Sequence, residues 1–77
     1  MTDGTHLRTK RNAAGIAGSV VCVKTGISRS RLSDIERGYV TGSADEVGRI
    51  DAALDELTRA KRKMAALAAA EGWPSSL

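Results

Sequence analysis

Phenylalanine is missing from the 77 residues, and tryptophan and tyrosine occur once each. A core must therefore be built from leucine, isoleucine, valine and alanine, and a hydrophobic fraction of 42% is enough for one globular unit. At this length the chain has room for one domain that buries roughly 60% of its unfolded surface. One cysteine cannot close an internal disulfide, and with one histidine there is no cluster to hold a metal, so neither prop is expected to support so small a fold. No stretch approaches the ~18 apolar residues of a membrane span, and the segment MTDGTHLRTKRN lacks the apolar run of an export signal. The expectation is a cytoplasmic chain with no membrane association and no cofactor. Paired carboxylates, or a nucleophile beside a base, are also lacking, so an enzyme is not expected. Cys22 reads as a small core residue and His6 as a surface one.

Charge is present, and it is unevenly spread. Through Arg37 there are seven lysines and arginines (8, 10, 11, 24, 29, 31, 37) against three acids, a balance of +4; beyond it five basic residues face six acidic ones, a balance of −1. A positive field confined to the first half suits a polyanionic partner, although a solvated basic face would look the same.

Glycines at 4, 15, 26, 38 and 42 cut the chain into segments of about ten residues without sustained polar/apolar alternation, which favours short helices. The first helix is expected over residues 5–14, with Leu7 and Ala14 inward and Gly15 as its stop. The stretch GSVVCVKTG (18–26) is harder. A phosphate-gripping loop needs glycine immediately before Lys24, where Val23 stands. A strand would have no partner, and a helix over 19–25 has poor propensity and would depend on packing. Residues 29–37 are clearer: Ser28 occupies an N-cap position, Leu32 and Ile35 are three apart, and Gly38 closes the segment. Arg29, Ser30, Ser33, Asp34 and Arg37 form its polar side. Two short helices joined by a glycine-containing turn suggest a helix-turn-helix.

From about Leu7 to Leu54 the chain resembles the Cro/C1-type (XRE-like) helix-turn-helix domain of phage and bacterial regulators. The matching features are Arg11 with Gly15-Ile16, Cys22 in the place of a small residue, Gly26-Ile27-Ser28, and Leu32-x-x-Ile35-Glu36-x-Gly38. Ser43 and Ile50-x-x-x-Leu54 complete the set. The resemblance implies an all-α, compact four- to five-helix, lambda-repressor-like fold in which GSVVCVKTG is the second helix and turn. It departs from the family at Ala17 and Gly18, where a polar cap and a glutamine are usual, so that Ser19 becomes the substitute cap. Val20 and Val23 stand where charged residues are usual; they read as tolerated surface valines, with a partner site as the alternative.

The resemblance also implies roles. Double-stranded DNA would be read by Ser28, Arg29, Ser30, Ser33 and Asp34 in the major groove, with Asp34 expected to pair with a nearby arginine rather than a cytosine amino group. Ser19, Lys24, Arg31, Arg37, Tyr39 and Thr41 would hold phosphates, and Arg11 and Glu36 would form a structural ion pair. The implied protein is a dimeric repressor on an inverted repeat. The alternative is an antitoxin or other protein-interaction module on the same fold.

In the second half, Ser43-Ala-Asp-Glu46 is a capping box that starts a helix at Ala44. Val47, Ile50, Leu54 and Leu57 recur at helical spacing, and the helix either runs on to residue 71, roughly 42 Å, or breaks near Asp55-Glu56 and Thr58. In either case residues 1–77 are expected to form a single domain with a helix-turn-helix core of about 5–55, a long C-terminal helix of about 56–71 for dimerisation and a tail, 72–77. The segment MAALAAA (64–70) is apolar on every side, so Leu57, Met64, Leu67 and Trp73 are the expected homodimer seam.

Overall fold

The computed structural model describes residues 4–70, which form four α-helices: α1 (Thr5–Ala14), α2 (Gly18–Thr25), α3 (Arg29–Arg37) and α4 (Ala44–Ala70). No strand occurs among the described residues. The boundaries follow local chemistry. Gly15, Gly26 and Gly38 end the first three helices with φ of 67°, 76° and 78°, a left-handed conformation that costs a residue without Cβ little. Ser28 Oγ accepts from the Arg31 N–H at 3.2 Å to start α3. At α4 the capping box is reciprocal: Ser43 Oγ accepts from the Glu46 N–H at 3.1 Å, and Glu46 Oε1 accepts from the Ser43 N–H at 3.0 Å.

Of the two options for the second half, the continuous one is found. α4 runs for 27 residues with no break at 55/56, about 40 Å at 1.5 Å per residue, and accounts for the 44 Å long dimension of the molecule. Thr58 does not interrupt it, because its hydroxyl donates back to the Leu54 carbonyl at 2.6 Å within the helix. Trp73 and the tail lie outside the described residues.

α2 differs from expectation at its start. It begins at Gly18, its N-cap is Ala17, and no side chain caps it; Ser19 lies within the first turn and is not the substitute cap. Packing holds this helix where propensity does not. Val21 is fully buried, Thr25 Oγ1 donates to the Val21 carbonyl at 2.8 Å, and Arg49 of α4 donates to the Thr25 carbonyl at 3.1 Å. In the turn, the Ile27 N–H bonds Thr25 Oγ1 at 3.2 Å, and Ile27 enters the core.

α3 packs on α1 and α2, and α4 packs on the same two helices. Leu7, Val21, Ile35, Ile50 and Leu54 have no exposure, each worth about 1.5–3 kcal/mol of burial relative to solvent. Gly4 marks the closest approach of α1's start to α3: a Cβ there would strike the Ile35 side chain and lie 2.7 Å from its carbonyl oxygen. Arg11 joins α1 to α3 by donating through Nε and Nη2 to the two carboxylate oxygens of Glu36, both at 2.9 Å, with Glu36 only 5% exposed. Its third donor, Nη1, reaches the Ile16 carbonyl at 3.0 Å, so the buried charge pair is well satisfied. Leu57, expected in a dimer seam, is instead half-buried and packed against this core. Spacing could not show where the core stops along a continuous helix.

Candidate nucleic-acid interface

α3 has one side in the core, through Leu32, Ile35 and Glu36, and the other in solvent. Ser28, Arg29, Ser30, Arg31 and Arg37 are exposed, while Ser33 and Asp34 are half-buried. Capped at one end and fixed by three buried residues, the helix is a rigid carrier for hydroxyl and guanidinium donors, the groups that bond phosphate oxygens and base edges. In the loop that follows, Tyr39 and Thr41 are exposed, and the Arg37 guanidinium lies 5.9 Å from the Tyr39 ring centroid. Asp34 forms no salt bridge among the described residues, but the arginine expected near it is there: the Arg31 guanidinium is raised by its hydrogen bond to Glu46 and also by the charge of Asp34. The Asp34 backbone carbonyl accepts from the Tyr39 N–H at 2.9 Å as α3 ends.

The cations of the first half fall into two groups. Lys10 reaches Asp51 at 2.6 Å and Asp55 at 2.7 Å, Lys24 reaches Glu56 at 2.7 Å, and Arg31 grips both oxygens of Glu46 at 2.9 Å. With Arg49 on Asp45 at 3.1 Å, every acid of α4 has a basic partner. The Arg31 guanidinium, and after it the Ser43 N–H, hold the Glu46 carboxyl down at about 2. Lys10 draws Asp55 below the usual carboxylate range, and Lys24 does the same to Glu56. Hydrogen bonds to Asp51 and Asp55 raise Lys10 in turn. Lys24 and Arg31, both expected at phosphates, are thus paired in this structure. Those pairs are partly exposed and screened by solvent, so a phosphate could take either side chain at small cost.

Arg8, Arg29 and Arg37 are the second group. None of them forms an ion pair among the described residues, and all three line one open groove of about 190 Å³ between α1 and α3. Leu32, Ser33 and Gly18 share its wall, and the Arg11–Glu36 pair lies alongside. Arg8 was not singled out by sequence, because nothing in its local context separates it from Lys10 and Arg11. The signal that finds it is spatial: its neighbours' partners are known only once α4 is in place.

The remaining candidates are set apart. Ser19, Val20 and Val23 are exposed on α2, with Val23 at 88%. Met64 and Leu67 are exposed on the far half of α4, at 73% and 59%. No group of His, Cys, Asp and Glu among the described residues is placed to hold a metal, and none of the helices is long and apolar enough to cross a membrane.

Two short helices joined by a glycine turn, the second rigid and rich in outward donors, define a small helix-turn-helix domain with a cationic face. Residues 4–64 match the family model of the helix-turn-helix domain, and the chain belongs to that family. Neither a curated protein nor a solved structure matched it. Family membership supports a DNA-binding role.

Proposed function

We propose that this protein is a sequence-specific, double-stranded-DNA-binding transcriptional regulator of the Cro/C1 type, a non-enzymatic repressor that acts as a homodimer on an inverted repeat. The observation that carries the reading is α3: its inner side is buried, and Ser28, Arg29, Ser30, Ser33 and Asp34 along it form no salt bridge among the described residues. These residues would meet base edges in the major groove, Arg29 by a bidentate contact to guanine. Arg37, Tyr39, Thr41 and Ser19 would meet phosphates, joined by Lys24 and Arg31 once these leave Glu56 and Glu46. Homodimerisation would use Met64 and Leu67, which continue the apolar side of α4 beyond the domain core. Selection from a random duplex pool tests the reading. Enrichment of one inverted repeat is expected; recovery of unrelated sequences at equal affinity would refute sequence-specific recognition.

The exposure of Val23 favours one second reading, a protein-interaction module such as an antitoxin, with Val20, Val23 and the alanine-rich end of α4 as contact surface. Binding to duplex DNA that falls steeply with salt separates the two.

A further inference from the structure

Seven cations precede Gly38, and four of them, Lys10, Arg11, Lys24 and Arg31, are engaged with acids of α3 or α4. The three left over, Arg8, Arg29 and Arg37, come from two helices yet border the same groove. Their one acidic neighbour on that groove among the described residues, Glu36, has both carboxylate oxygens taken by Arg11, so its charge is cancelled locally. A surface that neutralises its one acid and leaves three guanidiniums unmatched is arranged for an anion. The planar fork of arginine fits the paired oxygens of a phosphodiester. The groove also runs beside α3 rather than over its outward tip, which is where a duplex backbone passes when a helix enters the major groove.

We propose that Arg8 is a DNA-contact residue: with Arg37 it clamps one backbone phosphate in the α1–α3 groove. The inference rests on the DNA-binding reading above and adds α1 to the interface. Arg8 therefore positions the protein without reading sequence.

The test is a set of duplex titrations at several salt concentrations, using the full chain, Arg8→Ala, Arg8→Lys and, as a control for net charge, Arg62→Ala. Arg8→Ala should weaken binding by the same factor on the selected site and on a scrambled duplex. It should also reduce the slope of log affinity against log salt by about 0.9, the release expected for one phosphate contact. Arg8→Lys should restore most of the slope, and Arg62→Ala should leave it unchanged. Arg8 is exposed and has no ion-pair partner among the described residues, so thermal melting of the variant should match the parent. A loss confined to the selected site would overturn the proposal by making Arg8 a base reader, and an unchanged slope would overturn it while leaving the DNA reading intact. Failure of the full chain itself to bind any duplex would refute both.

Discussion

From Ala44 to Leu57, α4 turns Val47, Ile50, Ala53 and Leu54 into the core and gives each of its five acids a basic partner. From Thr58 to Ala70 the same helix carries no acid, four cations, and Met64 and Leu67 in solvent. Among the described residues, Lys61 ties this second half back to the domain: its Nζ donates to the Ala14 and Gly15 carbonyls at 2.9 and 3.1 Å, where α1 ends. The first half is helical because it is packed. The second is helical because alanine, leucine and methionine are good helix formers and need no new nucleus when they extend an existing helix. One secondary-structure element thus contains a half that belongs to the folded core and a half that stands in solvent.

The largest test of that division is a pair of equivalent truncations. Leu54→Ala should lower stability by about 2–5 kcal/mol because it empties a fully buried position, whereas Leu67→Ala should change it by less than about 0.5 kcal/mol. Chemical denaturation of both variants, at concentrations low enough to keep the chain monomeric, compares the halves directly; equal losses would mean that Leu67 is covered within the folded chain.

Removing the residues after Lys63 keeps the Lys61 tie and should leave the denaturation midpoint close to that of the parent when both are measured as dilute monomers. By sedimentation the shortened protein should be a monomer, and its operator affinity should fall because half-sites could no longer be bound together. A shortened protein that still forms dimers would move the interface to another surface, with Val20 and Val23 the first candidates.

Gly48→Ala bears on the first half alone. Gly48 is exposed, lies in the helix interior, and a Cβ added there meets nothing within 4 Å. The substitution should stabilise by about 0.5–1 kcal/mol, seen as a higher melting temperature.

The smallest expected effect is that of pH on Glu46. Its carboxyl is held at about 2 in the folded protein against an ordinary value of 4.5, so the folded state binds the proton less readily than the unfolded chain. The contribution to stability is complete above about pH 4.5 and disappears as pH falls through 2. Denaturation of the parent and Glu46→Gln should therefore differ at pH 6 and converge near pH 2.

Much of the helical outline could be read from sequence because its signals are local. Ser28, the Ser43/Glu46 box, Gly15 and Gly38 each act within four residues, and the ends of α1 and α3 and the start of α4 fall where they place them. α2 carries no such mark: without a capping side chain and with three valines in eight residues, its helix depends on Arg49, twenty-four residues from Thr25, and on the core around Val21. The charge sorting was hidden for the same reason. Lys10 is forty-one residues from Asp51, and only when such distant partners are known does Arg8 stand out as unmatched. Leu57 was assigned to an interface because helical spacing gives direction around an axis but not the point where the neighbouring helices end.

The unbroken course of α4 has a geometric consequence. Leu57, against the core, and Met64, in solvent, are seven residues apart, two turns of one helix, so they point nearly the same way. The exposed side therefore has a fixed phase relative to α3. One residue inserted between them would swing Met64 and Leu67 by 100° and lift them by 1.5 Å, while a seven-residue insertion would bring the direction back to within about 20° and lengthen the helix by roughly 10 Å. If two copies meet through this side, the helix acts as a ruler: its phase and length fix both the distance between the paired α3 helices and their mutual rotation, and a tolerated change in length would come in whole heptads.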